Sequence, residues 1–274
     1  MSLSTFAAAQ LLRALPRVQI SRAVGRLCEQ PLPRRVAGPL LRVYSRAYKV
    51  DLSEAAAPPG GYPTFDAFFT RMLREGARRI DDDPVVSPAD GLLSASGVVD
   101  PGTRLWVKGQ PYEVGELTGD SADAERYRGG DFAVVYLAPG DYHRVHSPVD
   151  GVVRAVRGIA GDLFPVNKIG ERHFPGLFVR NSRAAIAIDS DAHGRVMVVM
   201  VGAVIVGRIT VTGLDAPNVP VGLRPFEPPR RVERGSELGV FHLGSTVVVL
   251  LEPGVRLDRP LGKIRYGESL LRAA

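Results

Sequence analysis

Ser245 follows a glycine in Leu243-Gly244-Ser245-Thr246 and opens the apolar run Val247-Val248-Val249-Leu250-Leu251. With no β-carbon on Gly244, its carbonyl is open to close approach by a neighbouring hydroxyl, and the Ser245 side chain is the obvious attacker. Two upstream segments supply an acid and a base: Ser87-Pro88-Ala89-Asp90-Gly91, and Asp141-Tyr142-His143-Arg144-Val145-His146-Ser147-Pro148. Asp90, His146 and Ser245 are the residue types that activate a hydroxyl: carboxylate to orient, imidazole to take the proton, serine to attack. A serine hydrolase built on these three is one reading. The Gly-x-Ser-x-Gly elbow of such enzymes is absent, however, and a strand-like run follows the serine, so its target need not be an external ester. His143 and His146 have a spacing that metal sites use, yet they flank Arg144 and lack a third ligand nearby, so no metal is expected.

These residues need a scaffold, and after Asp81 the chain reads as one of short strands. Phe132 to Leu137, Gly151 to Val156, Val196 to Val206 and Thr246 to Leu251 are β-branched runs separated by glycine and proline turns. An internal repeat lies among them: Ser87-Pro88-Ala89-Asp90-Gly91-Leu92-Leu93 recurs as Ser147-Pro148-Val149-Asp150-Gly151-Val152-Val153. Each copy reads as a turn that launches a strand, proline setting the entry and Asp-Gly the reversal. Two copies suggest two related β-units folded together, as in lipoyl-like or barrel-sandwich hybrid folds, and leave Asp90 and Asp150 equivalent in pattern. Lys108, in Val107-Lys108-Gly109, lacks the acidic neighbour of a lipoylated lysine, which argues against a carrier module.

The front of the chain differs. Residues 1 to 50 carry nine basic side chains against one acid, Glu29, while the other 224 residues hold 26 basic and 28 acidic groups. Such asymmetry points to an anionic surface as partner for that segment alone, nucleic acid or lipid. Leu3, Phe6, Ala7, Leu11, Ala14, Leu15 and Val18 recur at helical spacing, as do Val36, Leu40, Val43, Tyr44, Ala47 and Tyr48, with joints expected at Pro16, Pro31, Pro33 and Pro39. Cationic amphipathic helices suit a membrane interface, and no run approaches the roughly 18 apolar residues of a bilayer span. Packing on the protein's own core, or an arginine-rich mitochondrial leader, are the competing explanations. Ala55-Ala56-Ala57-Pro58-Pro59-Gly60-Gly61 reads as a linker, followed by a helix over Thr64 to Glu75 with Thr64 as N-cap. The expected fold class is therefore α+β: amphipathic helices over residues 1–55, then a β-rich catalytic domain over 56–274. The lone cysteine, Cys28, excludes an internal disulfide.

The segments Phe132 to Pro148, Pro88-Ala89-Asp90-Gly91 and Leu243 to Thr246 resemble phosphatidylserine decarboxylases of the bacterial, membrane-associated type. The likeness extends through Thr64 to Arg71, Phe164-Pro165-Val166-Asn167, Pro175 to Asn181 and Val201 to Gly207, nearly the whole chain. Pro165 and Ser147 stand where other members often carry different small or apolar residues. The resemblance implies a proenzyme in which Ser245 attacks the Gly244 carbonyl, with Asp90 and His146 assisting. It further implies cleavage into a large chain (1–244) and a small chain (245–274) that stay associated, and conversion of Ser245 into a pyruvoyl cofactor. Condensation of the substrate amine with that ketone would supply the electron sink that decarboxylation requires. The reaction implied is phosphatidylserine to phosphatidylethanolamine and carbon dioxide, in phospholipid biosynthesis, with His143 protonating the α-carbon. The partners implied are phosphatidylserine in the membrane and a homodimer of processed units, without nucleic acid. The place implied is the cytoplasmic face of the cell membrane, attached peripherally.

Overall fold

The computed structural model describes residues 16–166, 173–204 and 208–272. The apolar stripe up to Leu15, Asn167 of one quoted motif and residues 205–207 of another lie outside them.

Proline sets where the front helices start. Helix α1 (Arg17–Cys28) begins directly after Pro16 and α2 (Arg34–Tyr48) directly after Pro33, as expected of a residue whose fixed φ suits a helix entry. Pro39 is not a joint: it lies inside α2, whose helical path continues through it. The apolar stripe of α2 divides in two. Tyr44 turns inward, donating to the Pro139 carbonyl at 3.1 Å and meeting Phe65 and Phe68 edge to face, whereas Val36, Leu40 and Val43 point outward, 50%, 42% and 66% exposed. Helix α1 is held down by Arg17, whose guanidinium pairs with Asp162 and lies 4.0 Å from the Phe164 ring centre.

Helix α3 (Phe65–Phe69) starts where expected, the Thr64 hydroxyl accepting from the Ala67 amide at 2.9 Å. It stops at Phe69 and does not reach Glu75. From there the chain turns extended to pair with residues 54–56: Ala56 donates to the Met72 carbonyl and Arg74 to the Glu54 carbonyl. The small, proline-rich stretch is thus docked at its start, with Ala55 only 1% exposed.

The remainder is β-rich, which makes the molecule α+β. In chain order the strands are β1 (Gly91–Val98), β2 (Arg104–Val107), β3 (Gln110–Glu113), β4 (Asp131–Leu137), β5 (Arg144–His146), β6 (Gly151–Ile159), β7 (Arg183–Ser190), β8 (Gly194–Gly202), β9 (Arg208–Val211), β10 (Gly222–Val232), β11 (Glu237–His242), β12 (Ser245–Leu250) and β13 (Gly262–Ile264). Short helices α4 (Val114–Thr118), α5 (Ala122–Arg126) and α6 (Leu177–Arg180) punctuate them. Eight strands form one antiparallel sheet in the order β10-β6-β7-β8-β12-β4-β1-β13, beside a three-stranded sheet β5-β11-β9 and the hairpin β2-β3.

The large sheet is covered on both faces. Val247 and Val249 of β12 share a core with Val145, Ile209 and Phe241 of the small sheet, while Val248 and Leu250 share the other with Tyr112, Leu117 and Phe178. A strand buried on both faces reads as an unbroken apolar run, which is what β12 displays.

The repeat is a structural pseudo-symmetry. The Ser87 hydroxyl donates to the Ala89 carbonyl and the Ser147 hydroxyl to the Val149 carbonyl. The two turns also bond each other, Val86 amide to Pro148 carbonyl and His146 amide to Pro88 carbonyl. Each launches a strand that pairs with a later edge strand, Gly91 opposite Ile264 and Gly151 opposite Val232. The sheet order accordingly falls into matching halves, β10-β6-β7-β8 and β13-β1-β4-β12, joined at β8 and β12. Both turn glycines are obligatory for space: a β-carbon on Gly91 would stand 2.3 Å from the Tyr136 carbonyl oxygen, and one on Gly151 2.6 Å from that of Asp189. Gly91→Ala and Gly151→Ala should each lower unfolding free energy by about 1–3 kcal/mol through overpacking, measured by urea titration in a Ser245→Ala background. Losses below about 0.5 kcal/mol, the scale of an ordinary surface substitution, would show that the crossings relax freely.

Candidate active site

Ser245 is the first residue of β12, inside the sheet, with Leu137 of β4 on one side and Gly202 of β8 on the other. It is 1% exposed, and its Oγ is buried with no hydrogen-bond partner. A buried hydroxyl left unpaired costs about 1–3 kcal/mol, so such an atom is free for chemistry at a price in stability. The peptide before it is tight as well. Leu243 has φ +83° and Gly244 φ +39°, and a left-handed conformation at a leucine costs about 1–2 kcal/mol. Strain and an unpartnered nucleophile therefore meet at the Gly244–Ser245 bond.

The corner opposite is built by the turn after β4. Asp141 closes it, its amide donating to the Ala138 carbonyl and its carboxylate accepting from the Ala138 amide at 2.7 Å. Arg71 grips the same turn through the Gly140 and Asp141 carbonyls, at 3.0 and 3.2 Å. His143 follows, fully buried against Phe69 with ring centres 4.1 Å apart. Its Nδ1 lies 2.9 Å from the Asp141 carbonyl, which can only accept, so Nδ1 carries the proton. Nε2 is then a bare lone pair, buried and without a partner. The His143 carbonyl accepts from the Phe241 amide, four residues ahead of Ser245. β4 and β11 thus bring the His143 segment to the end of β12 where Ser245 stands.

His146 has the same tautomer for the same reason. Nδ1 donates to the Gly235 carbonyl at 2.7 Å, and Nε2 accepts from the Tyr142 hydroxyl at 3.3 Å. Its ring lies flat on Tyr266, 3.8 Å between centres and 4° between planes. Burial lowers its proton affinity; the Gly235 hydrogen bond and the charges of Glu237 and Asp90 act against that. Asp90 does not bond the imidazole as the three-residue reading expects. Its carboxylate is taken by Arg78, at 3.2 and 2.5 Å, and by the Tyr266 amide at 2.8 Å. The orienting contact on His146 comes instead from a backbone carbonyl, and Tyr266 links the two, bonding Asp90 and stacking on His146.

Asp150, the repeat's counterpart of Asp90, accepts from the Arg234 amide as Asp90 does from Tyr266. There the likeness ends: Asp150 is exposed, and Asp90 is 8% exposed with a buried arginine partner.

Three groups at the site escape the sequence reading. His242 precedes Leu243 and bonds Asp66 through Nδ1 at 2.8 Å. Arg208 ties Asp66, at 3.2 Å, to Glu29, the residue that follows α1, at 2.6 Å. Asn181, fully buried, donates to the Phe164 and Gly202 carbonyls and accepts from the Phe164 amide. It thereby fixes the residue that flanks Ser245 in the ladder. Position immediately before the Gly-Ser step was the available signal for His242; no pattern singles out Asn181 before the strands are paired. Among the described residues no group of three or more His, Cys, Asp or Glu side chains is arranged to hold a metal ion.

Burial lowers the His143 pKa from 6.5 to about 3, the Arg71 charge adding to the shift and the Asp141 hydrogen bond opposing it. The unfolded chain then binds one more proton than the folded one between those values, so stability falls as pH drops through that window. One proton corresponds to about 1.4 kcal/mol per pH unit. In a Ser245→Ala protein, His143→Gln should flatten the urea-derived stability profile below pH ~6.5 by about that slope. An unchanged profile would mean that His143 titrates normally in the fold.

Comparison with known proteins gives the family. Residues 65–272 match the family model described as phosphatidylserine decarboxylase. A protein of Anaeromyxobacter sp. (strain K) called phosphatidylserine decarboxylase proenzyme is 42% identical over 96% of this chain and 97% of its own length. One of the same name from Azotobacter vinelandii is 39% identical over 95% of this chain and 96% of its own length, and one from Shewanella loihica is 40% identical over 86% of each. An unpartnered serine hydroxyl behind a left-handed Leu243–Gly244 step thus sits in a chain that belongs to the phosphatidylserine decarboxylase family of enzymes.

Proposed function

We propose that the protein converts phosphatidylserine into phosphatidylethanolamine and carbon dioxide, after cutting its own chain between Gly244 and Ser245. Family membership supports the reaction, and the printed name of the relatives, proenzyme, supports the processing. The observation that carries the processing step is the buried, unpartnered Ser245 Oγ beside positive-φ residues 243 and 244. Attack of Oγ on the Gly244 carbonyl exchanges amide for ester and relieves both the orphaned hydroxyl and the strained peptide. Elimination then breaks the ester, leaving Gly244 with a carboxylate, and addition of water with loss of ammonia leaves a pyruvoyl group at position 245. His146 Nε2, aligned by Gly235, is our candidate to take the serine proton. Asp90 supports it at one remove by fixing Tyr266 beneath the ring.

The pyruvoyl group supplies the electron sink for loss of carbon dioxide. The residues present fit it: no hydrogen bond ties down the Ser245 Oγ, which cleavage would leave on Gly244, and His143 has a buried, unpartnered Nε2 lone pair. His143 is neutral when empty. With the anionic substrate beside it, its proton affinity would rise, and it could then take up a proton and deliver it to the α-carbon. The Phe69 ring and the surrounding burial keep water from competing for that proton.

We read residues 1–55 as the membrane-associating region, 56–274 as the catalytic domain, and the two halves of the sheet as diverged copies of one barrel-sandwich-type unit. Val36, Leu40 and Val43 form an exposed apolar row on α2, beside the basic side chains of the front segment, and this supports peripheral attachment to the cytoplasmic face of the cell membrane. No helix of the described residues is long and apolar enough to cross a bilayer. A homodimer of processed units remains part of the proposal by resemblance alone.

Denatured mass resolves the processing. Wild type should give two species split after Gly244, the smaller starting with pyruvoyl; Ser245→Ala should stay whole. Asp90→Asn should slow the split by about tenfold or more, a loss of at least ~1.4 kcal/mol, whereas Asp150→Asn should mature normally. A single uncleaved wild-type chain would return Ser245 to the hydrolase reading. Serine at Val36, Leu40 and Val43 together should reduce sedimentation with anionic vesicles by about tenfold or more while the chain still matures. Vesicle binding retained by that triple variant would remove α2 from the membrane surface.

A further inference from the structure

Two cavities open beneath α1 and share the lining residues Arg22, Arg208 and Asn218. One, of about 270 Å³, is walled by Arg22, Arg26, Arg208, His242 and Leu243. The other, of about 180 Å³, is walled by Val18, Leu163, Ile209 and Val219 and reaches Gly202. The first ends at the residue before Gly244 and the second at the ladder neighbour of Ser245. Together they form a cleft with a cationic end and an apolar end that brackets the reacting residue.

The cationic end has spare donors. Arg22 and Arg26 are one helical turn apart, exposed, and without an acidic partner among the described residues. Like charges at that spacing repel unless an anion lies between them. Arg208 spends Nη1 on Glu29 and Nη2 on Asp66, which leaves its Nε buried and without a partner. The two carboxylates in the cleft are therefore engaged, while three guanidinium groups retain free N–H bonds. Guanidinium forks with an apolar extension match a phosphodiester carrying a glyceride.

Resting on the proposed function, we infer that Arg22, Arg26 and the Arg208 Nε bind the phosphodiester of the lipid substrate, with the glyceride end against Val18, Ile209 and Val219. The phosphodiester of phosphatidylserine stands only a few bonds from the α-carbon that must meet position 245, so its binding site has to adjoin Leu243 and Gly202, as this cleft does. Helix α1 then belongs to the substrate site, and its arginines do more than attract the protein to an anionic surface.

Short-chain, monomeric phosphatidylserine separates the two roles, because it needs no membrane. Turnover is counted per chain that carries the cleaved, pyruvoyl-bearing end. Arg22→Ala should raise KM for this substrate about tenfold or more, as loss of a charge-assisted hydrogen bond does, with a smaller effect on kcat; Arg22→Lys should recover part of the loss. Glycerophosphoethanolamine should compete in the wild type and about tenfold less well in Arg22→Ala, and inorganic phosphate should compete more weakly than the diester. A KM within twofold of wild type in both Arg22→Ala and Arg26→Ala would overturn the inference, as would equal inhibition by phosphate and diester. Processed wild type that never consumes the short-chain lipid would instead sink the functional reading itself.

Discussion

The burial of β12 between β8 and β4 is the constraint on which the rest depends. Every residue of the strand is buried, and it pairs along its whole length with both neighbours. A serine at the head of such a strand cannot reach solvent, so its hydroxyl must find a partner in the protein or remain unsatisfied. Here it remains unsatisfied, and the chain that leads into it is forced through two left-handed residues. The same burial leaves Thr246 to Leu250 of β12 paired to both β4 and β8 whether or not the chain is continuous before them. β13 stays paired to β1, and the Glu268 carbonyl stays bonded to the Ser87 amide. A strand held from both sides can lose its covalent tether without leaving the sheet.

Around that strand the fold is doubled but the chemistry is not. Two Ser-Pro-x-Asp-Gly turns interlock, and each aspartate accepts a backbone amide from a later loop. Only one half puts the turn of His143 beside its aspartate's neighbours, Tyr142 stacking on Tyr266. In that half Arg78 enters from the segment after α3 and neutralises Asp90 while also holding Glu54. A buried carboxylate paired with a buried guanidinium is costly to assemble. The pair has a use where Tyr266 must lie flat beneath His146. The counterpart turn, facing solvent, has no such demand.

The helical front is joined to the β-rich body by polar contacts near the candidate site. Arg17 reaches Asp162 in the segment that Asn181 organises, and Glu29 reaches Arg208, which shares Asp66 with His242. Charge-assisted bonds of this kind make α1 part of the wall around position 245. By contrast α2 offers Tyr44 to the body and three aliphatic side chains to the outside. Adjacent helices with similar composition thus face different surroundings, one the site and one the exterior.

From the sequence by itself came the candidate residue types, the β-rich body behind a basic helical front, the entries of the helices at Pro16 and Pro33, the Thr64 cap and the repeated turn. All of these rest on local chemistry: a proline's φ, a hydroxyl three residues from an amide, a two-residue alternation, a glycine before a serine. The end of α3 at Phe69, the carbonyl in place of Asp90 against His146, and the contacts of Asn181, His242 and Arg208 were decided by tertiary structure. Each depends on a partner distant in the chain, Glu54 for Arg74, Gly235 for His146, Gly202 for Asn181, and Asp66 for His242. Asp90 and Asp150 show the division most plainly: identical turns made them indistinguishable in sequence, and burial beside Arg78 separated them, because a carboxylate's role is set by the charges and hydrogen bonds that the fold brings to it.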